Sequence, residues 1–329
     1  MAKIRIGIIG YGNLGKSVEL GIRQNKDMEL SGVFTRRDPS TLKIETEGVP
    51  VYHMDQVKEM TEKVDVMVLC GGSASDLPVQ GPEIASMFNT VDGYDNHAKI
   101  PDFFKKMDEK ARAAGKVAII ASGWDPGMFS LNRLIAEAIL PEGKTYTFWG
   151  KGISQGHSDA VRRVKGVKDA KQYTIPSEEA IEAVKKGEMP ELTAAERHRR
   201  VCYVVPEEGA DLKQIEKDIK TMPNYFADYD TEVHFINEEE LERDHGGMPH
   251  GGVVMHSGKT GLNNEHNQTI EYKITLGSNP DFTAHVLLAY ARAAYRLNKE
   301  GVVGAKTVAD IAPVYLSIRT PEEIRKNLI

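Results

Sequence analysis

The stretch Ile4-Arg5-Ile6-Gly7-Ile8-Ile9-Gly10-Tyr11-Gly12-Asn13-Leu14-Gly15 restricts the fold of this chain more than any other. An apolar run without helical period ends in Gly-x-Gly-x-x-Gly and passes into Lys16-Ser17-Val18-Glu19-Leu20, the pattern of strand, glycine turn and helix. Gly10 permits the tight turn, Gly12 admits a close approach by a pyrophosphate, and Gly15 lets the helix sit down on the strand. Tyr11, Asn13 and Leu14 complete the loop, and phosphates are expected at the helix N-terminus. Three glycines at this spacing also arise by chance. What favours a dinucleotide site is the second strand, Glu29-Leu30-Ser31-Gly32-Val33-Phe34, within the roughly 30 residues of a βαβ unit.

The end of that second strand selects the cofactor. An NAD site places Asp or Glu there, about 20 residues beyond the glycines, to bind the ribose hydroxyls. This chain has Thr35-Arg36-Arg37 instead. A hydroxyl and two guanidiniums suit a 2′-phosphate, so the expected cofactor is NADP. Asp38, directly after them, speaks against it, and two solvated arginines in a turn are the plain alternative.

The remainder of the chain sets the frame. At 329 residues it has room for two domains or one with a large insertion. A net charge of −6 and a pI near 6.0 supply no field to attract nucleic acid or an anionic membrane, so neither is expected as a partner. No stretch reads as a signal peptide or a membrane span, which predicts a cytoplasmic protein. Cys70 and Cys202 are too few for a disulfide framework and have no metal spacing; both are read as reduced, and no metal is expected.

Strand and helix patterns alternate through the first part. Val64–Cys70 is an apolar run closed by Gly71-Gly72-Ser73-Ala74, a loop that can pass beneath the cofactor at the carboxyl edge of a parallel sheet or serve as a plain turn. Asn89–His97 reads as another short strand ending in polar residues, and Pro101–Ala114 as an amphipathic helix. Val117–Ala121 follows, ending in Ser122-Gly123-Trp124-Asp125. Asp95 and Trp124-Asp125 therefore arrive at one edge, and paired carboxylates beside a nicotinamide suit a substrate bearing an ammonium group.

From Leu131 the character changes. Glycine-rich Gly150–His157, read as a loop, precedes two-period strands at Val201–Val205, Thr231–Phe235 and Thr269–Leu276, the mark of a mostly antiparallel sheet covered on one side. Lys185–Arg200 reads as an exposed loop with a short helix. Alanine-rich Ala284–Leu297 is the best helix, placed to return to the first domain, and a short helix is expected from Pro321. The expected fold is α/β: a Rossmann-type doubly wound parallel sheet in 1–122 with a return over about 282–329, and a second α+β domain in 123–281 for substrate binding and dimerisation.

Seven stretches together resemble the meso-diaminopimelate dehydrogenases over nearly the whole chain. They are the glycine motif, Phe34–Arg37, Asp92-Gly93-Tyr94-Asp95-Asn96-His97, Ser122–Met128, Gly152-Ile153-Ser154-Gln155-Gly156-His157-Ser158-Asp159-Ala160, Met248-Pro249-His250-Gly251-Gly252 and Ser278-Asn279-Pro280-Asp281-Phe282-Thr283. The resemblance implies an NADP-dependent oxidative deamination of meso-2,6-diaminopimelate at its D-centre, giving L-2-amino-6-oxopimelate, ammonia and NADPH, reversibly, in lysine biosynthesis. It implies a homodimer joined through the middle segment. It also implies that Asp95, Trp124 and Asp125 surround the reacting centre, that Trp149, Ser154, Gln155, Gly156 and Asp159 lie along the substrate, and that Thr174, Arg200, His250 and Asn279 hold the distal amino-acid end. Read alone, Arg200 belongs to a solvated run with Arg199 as its rival. Gly261–Gln268 looks longer and more polar than the family pattern. A two-domain reductase of the dihydrodipicolinate reductase or glucose-fructose oxidoreductase type is the alternative, disfavoured because their histidine–lysine and Glu-Lys-Pro motifs are absent. A non-catalytic NADP-binding regulator is the other, and it has no use for acidic strand ends.

Overall fold

The computed structural model describes residues 3–329; residues 1 and 2, which open the expected first domain, lie outside the described residues. The chain forms two compact units, Met1–Leu131 with Pro280–Ile329, and Asn132–Asn279. Their division falls at Leu131 and Pro280, where the sequence places it at 122 and 282.

The first unit begins β1 (Ile4–Ile9), α1 (Asn13–Ile22), β2 (Met28–Thr35), β3 (Val51–His53), β4 (Val66–Leu69), α2 (Leu77–Ala85), β5 (Asn89–Asp92), α3 (Ile100–Ala113) and β6 (Val117–Ile119), and α4 (Met128–Ile139) follows. The second unit contains β7 (Lys144–Trp149), β8 (Gly152–Ile153), α5 (Gln155–Arg162), β9 (Val167–Pro176), α6 (Glu178–Lys185) and α7 (Ala194–Arg197). It continues with β10 (His198–Pro206), α8 (Leu212–Lys220), β11 (Asp230–Phe235), α9 (Glu238–His245), β12 (His250–Thr260) and β13 (His266–Leu276). The chain then returns through α10 (Asn279–Lys299), β14 (Gly304–Lys306) and α11 (Pro321–Asn327), whose Pro stands in the first helical turn behind a Thr320 cap.

The first unit is a seven-stranded, wholly parallel sheet in the order β14-β6-β5-β4-β1-β2-β3, with the chain reversing direction across the sheet between β1 and β4. That is the doubly wound arrangement, which receives ligands at the carboxyl ends of the strands beside the reversal. Its strands read as unbroken apolar runs because both faces are covered. Ile4, Ile6 and Ile8 join Val18 of α1 and Leu287, Leu288 and Ala291 of α10 on one face, while Met67 and Leu69 join Ile84 of α2 and Phe103 of α3 on the other. The alanine-rich helix belongs to this core, as its composition suggested. Its buried Arg292 pairs with Asp27 at 2.6 Å and also bonds Asn25, tying α10 to the turn before β2.

The second unit holds two sheets rather than one. One has the order β11-β10-β9-β8 and the other β13-β12-β7; all pairings are antiparallel except β10 with β11. Two expectations need correction here. Gly150–His157 is not a loop, because β8 forms within it and the Ser154 hydroxyl caps α5 by accepting the His157 N–H. The charged run does not stay exposed to Arg200: β10 begins at His198 and is paired on both sides, which buries Arg200. The polar 261–268 segment holds the turn between β12 and β13, and from His266 on it pairs as strand. No helix of the described residues is long and apolar enough to cross a membrane.

Candidate functional site

In the first unit a cleft of about 290 Å³ opens where β1 gives way to α1, lined by Gly10, Tyr11, Gly12, Thr35, Arg36, Arg37, Gly71, Gly72, Asp76 and Gln80 among others. Gly10 has φ +89, a conformation L side chains rarely adopt. A Cβ at Gly15 would stand 2.1 Å from the Gly10 carbonyl, so only glycine lets α1 approach β1 this closely. A Cβ at Gly12 would meet nothing within 4 Å: that backbone faces open space at the start of α1, where a phosphate fits. Asn13, Leu14 and Gly15 form the first turn of α1, directly after the lining residues Gly10, Tyr11 and Gly12.

The ends of β2 and β4 complete this cleft. Thr35 is buried, its hydroxyl accepting the Arg37 N–H, and the Arg37 guanidinium donates to the Tyr11 carbonyl at 3.2 Å. Arg36 reaches Asp76 at 2.8 Å, and the same Asp76 carboxylate accepts the Gly72 N–H at 2.9 Å. Asp38, which argued against a phosphate, turns back to cap the following turn through Ser40. The only carboxylate among the lining residues, Asp76, is thus paired with an arginine, and the residues present fit a dinucleotide carrying an extra phosphate. Ser73 does not line the cleft; its hydroxyl accepts the Asp95 N–H at 3.1 Å. Ala74 lies outside the lining as well.

Asp95 and Trp124-Asp125 follow neighbouring parallel strands of this unit, β5 and β6, as expected. Asp95 is exposed, Asp125 half-buried and Trp124 buried, its indole meeting Phe129 edge-on at 5.3 Å. A residue that the sequence reading missed joins them: Asp92, at the end of β5, is completely buried. Burial pushes its carboxyl up to about 7, while N–H donation from Tyr94 and Ala121 pulls the other way.

The second unit brings together another set. Arg200 on β10 faces Thr174 on β9, and Thr174 in turn faces Gly152 on β8. A Cβ at Gly152 would lie 2.5 Å from His250, so Arg200, Thr174, Gly152 and His250 follow one another across the sheet edge. Arg200 is 6% exposed, donates to the Thr174 hydroxyl and lies over the Tyr229 ring at 4.0 Å. It forms no ion pair with any carboxylate among the described residues, and burial lowers its pKa. Its rival Arg199, one residue earlier and so on the opposite face, is paired with Glu232 at the surface.

The remaining expected substrate residues are spread around this edge. Asn279 donates its N–H to Met248 in the loop that carries His250, and the Gln155 amide reaches the Met248 sulfur. Gly156 is exposed with open space at its Cα, whereas the Ser154 hydroxyl is engaged by His157 at 2.8 Å. Asp159 pairs with Arg162 along α5. Trp149 stacks on His198 and donates its backbone N–H to the His198 ring at 2.9 Å. The sequence reading assigned no role to His157, Gln172 or Tyr229. Burial and the nearby Arg200 lower His157 to about 4, and Gln172 is a fully buried amide on the Thr174 face of β9 with neither polar atom bonded. The alternation of β9 alone would have placed Gln172 beside Thr174.

Comparison with known proteins agrees with this geometry. Residues 123–278 match the family profile described as diaminopimelic acid dehydrogenase C-terminal domain, and residues 1–75 match one described as CoA binding domain. The chain is 68% identical over 329 residues to a meso-diaminopimelate D-dehydrogenase of Acetivibrio thermocellus, covering 100% of this chain and 98% of that one. Among solved structures it is similar to a C. glutamicum DAP dehydrogenase in complex with DAP, with 47% identity, TM-score 0.93 and 100% of both chains covered. It is also similar to an engineered D-amino acid dehydrogenase bound to NADP+, with 46% identity, TM-score 0.88 and the same coverage. With full-length identity of this order, an acidic pair at successive strand ends and a buried cation of the expected kind, the chain belongs to the meso-diaminopimelate dehydrogenase family.

Proposed function

We propose that this protein catalyses the reversible, NADP-dependent oxidative deamination of meso-2,6-diaminopimelate at its D-centre, yielding L-2-amino-6-oxopimelate, ammonia and NADPH in lysine biosynthesis. The observation that carries the reading is Arg200, a desolvated guanidinium held by Thr174 and Tyr229 with no carboxylate among the described residues to neutralise it. Such a cation is costly unless an anion joins it, and the distal carboxylate of an amino-acid substrate is the anion this family handles.

The cofactor supplies hydride-transfer chemistry at its nicotinamide, and the protein supplies binding, orientation and protonation. The Gly10–Gly15 loop and the start of α1 hold the pyrophosphate, and Thr35, Arg36 and Arg37 hold the 2′-phosphate. Asp95 and Asp125 attract and orient the D-amino group, and the Trp124 indole keeps water from it. The amine must be neutral for the reaction to proceed, and a nearby carboxylate is the natural receiver of its proton. Arg200, His250, Thr174 and Asn279 bind the distal L-amino-acid group, with Trp149, Ser154, Gln155, Gly156 and Asp159 along the substrate. The protein acts as a cytoplasmic homodimer, in keeping with the family reading, and takes a small molecule rather than a nucleic acid or membrane as its partner.

The test is an absorbance assay in the nicotinamide band. Meso-diaminopimelate with NADP should generate reduced cofactor, more slowly with NAD, and ammonia should appear in equal amount. Reduction without ammonia release, or none with any diaminopimelate stereoisomer, overturns the proposal.

A further inference from the structure

Asp92 closes β5 with its side chain fully buried, and one oxygen of it serves two segments at once. Oδ1 accepts the N–H of Tyr94 at 2.9 Å and the N–H of Ala121 at 3.1 Å. Its own carbonyl accepts both the N–H and the hydroxyl of Ser122, at 3.0 and 2.9 Å. The β5–β6 register ends at Val91 and Ile119, so beyond the ladder these bonds join the two strand ends. Asp95 stands one residue beyond Tyr94, and Trp124 and Asp125 stand two and three residues beyond Ser122.

Two observations mark this arrangement as built for geometry. Ala121 has φ +51, a left-handed conformation that costs a residue with a Cβ about 1–2 kcal/mol. It turns the chain out of the line of β6, and the captured N–H holds that turn. The second Asp92 oxygen, Oδ2, is buried with no hydrogen-bond partner. A buried oxygen left unbonded destabilises the fold, and an apolar residue would avoid that cost.

We propose that Asp92 is a positioning residue for the deamination: through Oδ1 it fixes the Asp95 segment and the Trp124-Asp125 segment relative to each other. The proposal rests on the reading above that these three residues surround the reacting carbon. What matters is the acceptor oxygen, not a charge. Misplacement of reacting groups by about 1 Å costs roughly a hundredfold in rate, which sets the expected effect.

The experiment compares the full-length parent with Asp92→Ala, Asp92→Asn and Asp125→Asn, measuring kcat for meso-diaminopimelate at saturating NADP, well below each variant's thermal midpoint. NADPH affinity is measured in parallel by nucleotide fluorescence. Asp92→Ala should lose about a hundredfold in kcat with NADPH affinity nearly unchanged, and Asp92→Asn, which keeps Oδ1, should remain within about threefold of the parent. A purely structural role would lower the midpoint and leave kcat of the folded enzyme intact. If Asp92→Ala does not fold, Asp92→Ser replaces it, since a single short hydroxyl cannot span both N–H groups. Parental kcat in the Ala or Ser variant overturns the proposal, as does an Asn variant as impaired as Ala. Asp125→Asn at parental turnover overturns the site reading and the proposal with it, whereas an inactive Asp125→Asn beside a fully active Asp92→Ala overturns the role of Asp92 alone.

Discussion

The two cation sites of this protein differ in how they are housed. Arg36 and Arg37 stand at the end of β2 with their guanidiniums largely in water, the Arg36 side chain 72% exposed and balanced by Asp76. Arg200, in the other unit, is inside the fold with a hydroxyl and an aromatic ring for company. Exposed cations lose little on burial of a ligand and contribute modestly each, while a desolvated cation stores a large penalty that the right anion relieves. The first site therefore grips by number and by its backbone, the second by a single group.

The largest effect should come from breaking the buried site. Arg200→Met keeps the volume and removes the charge, and losing one member of a buried charged pair costs about 2–5 kcal/mol, roughly thirty-fold to several-thousand-fold in kcat/KM for meso-diaminopimelate. An apolar D-amino acid should lose far less; an unchanged ratio between the two substrates would show that Arg200 does not read the distal group. Next, Asp125→Asn preserves shape at the reacting end, and turnover should fall by about a hundredfold with NADPH binding nearly intact. Survival of turnover within a few-fold would remove Asp125 from the chemistry. Replacing both Arg36 and Arg37 by Gln should be milder, since each charge-assisted bond contributes about 1.5–3 kcal/mol before discounting for solvent. NADP should weaken by about ten- to a hundredfold and NAD hardly at all, and equal losses for both would mean that the arginines serve the fold.

The same contrast has a pH signature. In the first unit, burial lifts Asp92 to about 7, whereas an unfolded Asp titrates near 3.9. The folded form therefore holds a proton that the unfolded chain releases, and this contribution, complete below about 4, is lost as pH rises through about 7. In the second unit, burial and Arg200 lower His157 to about 4 and His198 to about 3, against about 6.5 unfolded. There the unfolded chain takes up the proton, so stability is lost as pH falls below about 6.5. Between pH 7 and 5 each histidine should cost about 2 kcal/mol while Asp92 returns a similar amount. The two tryptophans, Trp124 in one unit and Trp149 in the other, report separately once the other is changed to Phe. The Trp149 midpoint should fall on acidification more than the Trp124 midpoint, and Asp92→Asn should narrow the gap; equal slopes would show that the units do not titrate differently.

What the sequence by itself determined were the features set by near neighbours. Glycine spacing after an apolar run depends on the backbone of a few residues, so the β1–α1 turn, the arginines after β2 and the doubly wound first sheet were legible. The alanine-rich α10 and the capped α11 were legible for the same reason. Assigning Asp95, Trp124, Asp125, Arg200 and His250 to a substrate needed a resemblance as well, since composition alone left Arg200 in a solvated run. Only the tertiary structure decided that β10 takes in His198 through Arg200 and thereby buries Arg200 while leaving Arg199 with Glu232. It alone showed Tyr229 over that cation, the 261–268 segment as the turn and first pairs of a hairpin, and Asp92 reaching Ala121 across 29 residues of sequence. A hydrogen bond or a burial of that kind depends on groups far apart along the chain, and no local pattern carries their meeting.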